Sequence, residues 1–390
     1  MVTSRRLLIV AAVFAAGAVA AGMASARSQT QWKLRDLGAL PMLNMTPLSM
    51  NDRGDIAGLG SGGSGVAGRA FLWHNGKLKD LGSCGGYSRA VAINRRGNVA
   101  GSCGLRRDGK PDHAFLWLDG RAIDLGTLGW RSSDATAIND RGEVVGTRFR
   151  GNEERAFLWN DRKMRDLGTL GGRRTEATAI NDNGDVAGDS MTGNGEQHAF
   201  LWRDGHMTDL GTLRGRVSSS FGGARNEQFV PQAINGHGTI VGLAHDPIGS
   251  YETAFIWRNG KLSGFPALDG QPSRAIAIND RGQVLVQTTP PTDKRGDAYL
   301  WQNGKLRKLP ALSARRPATF PRALNAYGEV VGTSLLSIGH SRPFFWARGR
   351  MTPLPTPGRH TAPPFVSAYA LNDNDQIAGS DGSHLLLWTR

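Results

Sequence analysis

The feature that limits this chain most is a repeat. An asparagine followed three residues later by glycine recurs at Asn51/Gly54, Asn94/Gly97, Asn139/Gly142, Asn181/Gly184, Asn235/Gly238, Asn279/Gly282 and Asn325/Gly328. Asn372 opens an eighth copy, with Asp375 in the glycine place. A tryptophan follows each: Trp73, Trp117, Trp159, Trp202, Trp257, Trp301, Trp346 and Trp388. Successive tryptophans lie 42 to 45 residues apart, with one interval of 55. A fixed period of this length marks an array of small units, none of which can bury its apolar face alone.

Each unit reads as four short strands. In the third, residues 135–138 form the first strand, 139–142 a turn, 143–147 the second strand, 155–159 the third and 163–167 the fourth. The last turn is usually Asn-Gly or Asp-Gly: Asn75-Gly76, Asp119-Gly120, Asp204-Gly205, Asn259-Gly260 and Asn303-Gly304. Such pairs tolerate the positive φ angles of a two-residue type I′ hairpin. The third strand, Ala-Phe-Leu-Trp in several units, is apolar on both faces. Phe157 and Leu158 point to opposite sides, so both sides of the small sheet must be covered. The first strand uses small residues instead, such as Ala135 and Ala137, suited to a crowded place near an axis. The fourth carries cations, such as Lys77 and Lys79 or Lys163 and Arg165, which discourage edge-to-edge association.

The two ends are complementary. Residues 32–38 have the form of a fourth strand, matching 77–82, while the chain stops just after the third-strand Trp388. The N-terminal strand is therefore expected to complete the last unit. The reading is an all-β fold: a closed β-propeller of four-stranded blades, eight of them, or seven if the divergent last unit is not a blade.

His113-Ala114-Phe115-Leu116-Trp117 and His198-Ala199-Phe200-Leu201-Trp202, with Asp-Leu-Gly-Thr-Leu at 166–170 and 209–213, resemble the bacterial HAF-repeat extracellular proteins. The resemblance covers residues 31–390. In units six to eight, Ser263-Gly264-Phe265, Lys308-Leu309-Pro310 and Pro353-Leu354-Pro355 replace the Asp-Leu-Gly signature. The resemblance implies export and repeats, and no particular activity or site residues.

Residues 1–26 read as a signal peptide. Arg5 and Arg6 precede an apolar stretch from Leu7 to Gly22, and Ala24-Ser25-Ala26 is a cleavage site, leaving a single repeat domain over 27–390. Ser4-Arg5-Arg6-Leu7-Leu8 also resembles a twin-arginine signal, so two export routes stay open. No other stretch reaches the roughly 18 apolar residues that span a bilayer. The expectation is a monomeric, unanchored protein in the extracellular or periplasmic space. Cleavage removes two arginines and no acids, lowering the net charge from +14 to +12. Export also permits a disulfide between the two cysteines, Cys84 and Cys103, which lie at ends of paired segments on one edge.

The turns hardly vary, whereas the loops joining second to third strands, and one unit to the next, differ in length and chemistry. Those loops share one edge of every sheet, and variable loops on a rigid scaffold more often carry function. Their cations define the expected ligand face: Arg106, Arg107, Arg173, Arg174, Arg214 and Arg216. The function expected from them is a non-catalytic binding or scaffold module for an anionic partner, an acidic polysaccharide or another anionic envelope or surface component, held by salt-sensitive contacts. The alternative is a propeller enzyme acting on an extracellular glycan. It would draw an acid and a base from the loop-edge carboxylates Glu153, Glu154, Glu176, Glu196, Asp246 and Glu252. No cofactor and no metal are expected. The stretch 181–185 lacks the downstream acid of a calcium loop, and no His or Cys pair has zinc spacing. His113, His198 and His384 open apolar third strands and read as structural.

Overall fold

The computed structural model describes residues 31–390 except 42, 63–66, 83–85, 105–112, 214–227, 246–251, 266–267, 269–270, 289–295, 314–317, 338–339 and 359–364. The signal segment, Cys84, Arg106, Arg107, Arg214, Arg216 and Asp246 lie outside the described residues. Cys103 is disulfide-bonded.

Among the described residues there are 32 strands, β1–β32 in chain order, and no α-helix. Among the described residues no helix is long and apolar enough to cross a membrane. Eight strands each lead into an Asn turn: β2 (Asn44–Met50), β6 (Ser88–Ile93), β10 (Ser132–Ile138), β14 (Gly171–Ile180), β18 (Gln228–Ile234), β22 (Ser273–Ile278), β26 (Thr319–Leu324) and β30 (Ser367–Leu371). Each pairs with the strand after it and so begins a four-stranded antiparallel group. These eight are the inner strands, because they adjoin one another from unit to unit, β2 with β6 through to β26 with β30, and β30 with β2. The last group is β30, β31 (Gln376–Ser380), β32 (Leu385–Thr389) and β1 (Lys33–Gly38), with Leu34 opposite Trp388 and Asp36 opposite Leu386.

Local chemistry accounts for the strand ends. Asn75 and Gly76 take φ of 50° and 76°, and Asn303 and Gly304 take 48° and 81°, as a two-residue hairpin requires. Asp375, in the glycine place of the last Asn turn, sits at φ 57°, a region that Asp tolerates better than bulkier residues. Gly146 is needed for close approach: a Cβ there would meet the Asp134 carbonyl at 2.0 Å and the Phe157 ring at 2.8 Å.

Each Asn side chain fixes its own turn and the next. Asn51 Oδ1 accepts from the Arg53 and Asp55 N–H groups, both at 3.0 Å. Its Nδ2 donates to Asp55 Oδ2 at 2.9 Å and to the carbonyl of Asn94 at 3.0 Å. The same unit-to-unit link runs through Asn94, Asn139, Asn181, Asn235, Asn279 and Asn325 to Asn372. Asn372 in turn donates to the carbonyl of Asn51 at 3.0 Å.

The core lies between units. Phe157 and Leu158 are both buried, on opposite faces of one sheet, and each joins a different cluster. Among the described residues the buried apolar side chains form eight clusters, each made by two units. One of them packs Met45, Ile56 and Phe71 of the first unit against Ala370, Leu385 and Leu387 of the last.

Every inner strand carries a bulge three residues before its Asn, seen as a register shift between Ala135 and Ala137 in β10. A bulge re-aims one side chain and bends the strand. The bulged Thr136 accordingly reaches the neighbouring inner strand, its Oγ1 donating to the Ala177 carbonyl at 2.8 Å.

Candidate functional site

The inner strands begin at the loop edge, and register identifies equivalent residues there. Arg89 faces Ser102, Asp134 faces Thr147, Glu176 faces Asp189, Arg274 faces Gln287 and Phe320 faces Thr333. Arg89 donates to the Asp134 carboxylate, whose other oxygen accepts from the Ser102 hydroxyl. That half-buried rim position is thus internally neutralised between the second and third units.

One unit on, three charged groups meet. Glu154 lies on β12 (Glu153–Asn160) and Arg174 and Glu176 on β14. A parallel bridge sets Glu154 opposite Arg174. Arg174 Nε donates to Glu154 Oε2 at 3.0 Å and Arg174 Nη2 to Glu176 Oε1 at 3.1 Å. Burial pushes the Glu154 carboxyl up to about 7, and the hydrogen bond and charge of Glu176 push the same way, against the pull of Arg174. Glu154 therefore exchanges its proton near neutral pH, with the Arg174 guanidinium across both carboxyls. Such a pair can give or take a proton, or accept a cationic group, without large rearrangement.

The structure distributes the other expected residues differently. Arg173 is exposed, and its carbonyl accepts from Arg155 Nη1 at 2.6 Å. Glu153 pairs with Arg150 at 2.8 Å, and that contact holds its carboxyl below the usual range. Glu196 lies 3.3 Å from His198. Of the described loop-edge acids, Glu154 and Glu176 meet on Arg174.

The turn edge is built from acids used structurally. Asp140 and Asp182 accept from the Arg95 and Asp140 N–H groups at 2.8 and 2.9 Å, and Asp373 and Asp52 from those of Ala326 and Asp373 at 2.9 and 3.1 Å. Burial, with the neighbouring charges of Asp140 and Asp280, raises Asp182 despite that hydrogen bond. Among the described residues no group of three or more side chains is placed to hold a metal ion.

The recurring His and Asp of the repeat signature prove to be partners. His113 Nδ1 lies 2.8 Å from Asp124, His198 Nδ1 2.8 Å from Asp209 and His384 Nδ1 2.7 Å from Asp36. Each of these aspartates also caps the glycine two residues on, as Asp124 does for the Gly126 N–H at 2.8 Å. In the sixth unit the charges are exchanged: Asp297 stands in the histidine place and pairs with Lys308 at 2.5 Å. That exchange was the one sequence signal that could have revealed the pairing.

The structure is similar to that of a prolyl endopeptidase, at 11% sequence identity and a TM-score of 0.52, over 90% of this chain and 55% of the other. It is also similar to the β-propeller domain of the Trilobed protease from Pyrococcus furiosus, at 10% identity and a TM-score of 0.50, over 81% of this chain and 96% of the domain. The fold is of the β-propeller type. This chain spans about half the length of the endopeptidase. No family model and no curated protein matches it.

These findings correct the expected function. A non-catalytic module for an anionic envelope component, with a glycan-acting enzyme as its alternative, does not fit: the similar propellers belong to peptidases. The structure supplies a physical reason as well. Arg174, one of the arginines assigned to the anion-binding face, is held by two carboxylates of the protein itself.

Proposed function

We propose that the eight four-stranded groups close into one eight-bladed ring, and that this exported ring receives peptides at its loop edge. Closure is supported by the pairing of β1 with β32, the Asn372 to Asn51 hydrogen bond and the apolar cluster between the last unit and the first. Peptide as the ligand class is supported by the peptidases whose propellers are similar.

The observation that carries the reading is the Glu154–Arg174–Glu176 group. Loss of the Glu154 proton near pH 7 leaves a half-buried negative charge there. The free amino group of a peptide supplies the missing positive charge and three N–H donors. A neutral or anionic polymer offers neither.

The test is calorimetric titration of the mature chain with tetra-alanine and with its N-acetylated form, from pH 6 to 8.5. Binding of the free amine should peak between about 7, where the pair loses its proton, and roughly 8, where the α-amino group loses its own. Acetylation, or Glu154→Gln, should weaken binding on the order of tenfold, the usual worth of a lost charge-assisted hydrogen bond. Equal binding of the acetylated peptide refutes the reading.

A further inference from the structure

A second group on the loop-edge rim has the opposite character. Arg322 occupies the bulge of β26, the position from which Thr136 crosses to its neighbour in the third unit. Its guanidinium carbon lies 5.7 Å from the ring centre of Tyr369, the bulge residue of β30. Arg274 opens the preceding inner strand, β22. Its Nη2 donates to Gln287 Oε1 at 3.0 Å, while its Nε is buried with no hydrogen-bond partner.

The repeat provides its own control. Arg89 is the register equivalent of Arg274, and it is answered by the carboxylate of Asp134 on the next inner strand. The corresponding residue after Arg274 is Phe320. Among the described residues neither Arg274 nor Arg322 forms an ion pair. Burial pushes the Arg322 guanidinium below its usual range, and the charge of Arg274 pushes the same way, with only Tyr369 opposing. Two half-buried cations on adjacent inner strands, with no counter-charge, are costly to keep unless something anionic completes them.

We infer that Arg274, Arg322 and Tyr369 form a binding site for a carboxylate group, which takes the role that Asp134 plays within the fold. Two guanidiniums present paired planar donors suited to a carboxylate, and the tyrosine adds a hydroxyl. The inference stands on the unpaired arginines and not on the Glu154–Glu176 reading. If both hold, the rim has one group for each end of a peptide.

The experiment is thermal melting of the mature chain with acetyl-dialanine, its C-terminal amide, acetate and inorganic phosphate. The free acid should raise the melting temperature and the amide should not. Acetate acting as well as the acid identifies a small free carboxylate as the source, and a much stronger effect of the acid identifies a peptide C-terminus. A rise with phosphate and none with either carboxylate overturns the assignment. Arg322→Met should melt at or above the parent temperature, since it removes an uncompensated charge, yet lose affinity for the acid by about tenfold or more. Arg89→Met, which strands Asp134, should melt lower and bind the acid normally. Undiminished binding by both Arg322→Met and Arg274→Met overturns the inference.

Discussion

In six of the eight units, all but those of Asn94 and Asn235, the turn asparagine uses its whole hydrogen-bonding capacity. Two acceptor sites fold the turn on itself, one N–H fixes the residue four positions on, and the last N–H holds the next unit. Aspartate has the same shape but cannot donate, and at Asn139 it would stand against the Glu143 carboxylate, now 2.6 Å from the amide. Asn139→Ala strands several buried backbone groups and should cost about 3 kcal/mol, at ~1–3 kcal/mol for each group left unpaired. Asn139→Asp should be worse at neutral pH and recover part of the loss near pH 4, as the added carboxyl protonates. Urea melts at the two pH values check this, and an Asp variant as stable as the parent at pH 7 contradicts it. The Asn-x-x-Gly spacing made the turn legible. It hid the second role, because the acceptor lies in another unit, 42 to 54 residues away for most links. Contacts at that separation leave no trace in local pattern.

Strands were legible because two periodicities coincide in each unit: apolar residues on both faces of the third strand, and fixed turn chemistry on either side of it. The third unit shows the margin of error. Its inner strand was read as 135–138 and runs from Ser132, because the polar residues Ser132, Ser133 and Asp134 pair with Phe149, Arg148 and Thr147 of the next strand. In the fourth unit β14 extends back to Gly171, which pairs with Thr192 although a glycine pair has no strand propensity of its own. Tertiary pairing overrides propensity at these ends. The strand most open to experiment is β1. It covers the edge of β32, and Trp32 beside it packs on Phe345 with ring centres 5.0 Å apart. Deleting residues 31–38 should lower the melting temperature by 10 °C or more, taking roughly 2–4 °C per kcal/mol for a chain of this size and several kcal/mol for the apolar area exposed. Adding the peptide 31–38 in trans should restore part of it. An unchanged melting temperature shows that β1 is dispensable.

At the scale of the molecule, charge was the misleading quantity. A net charge of +14 pointed to anionic partners, yet Arg174 faces two carboxylates, Arg148 donates to Asp166, and Arg203 is held by Asp185 at 2.7 Å. Composition counts charges and cannot show which are already answered. The informative cations were Arg274 and Arg322, which form no ion pair among the described residues; Arg274 matches Arg89 in register, but the next unit presents Phe320 to it in place of an aspartate. Export remains a matter for direct measurement: mass spectrometry of the protein outside the cytoplasm should find Arg27 as its first residue, and a species in the membrane fraction that keeps residues 1–20 counts against the cleavage site. The pairing of β1 with β32 has a bearing on synthesis too. Lys33–Gly38 is the first described strand to be made and Leu385–Thr389 the last, so a single ladder registers that everything between them is present. A translation product that stops early leaves its opening strand with a row of unsatisfied N–H and C=O groups, the extended backbone that proteases grip. Only a chain translated through β32 can cover the edge of β1.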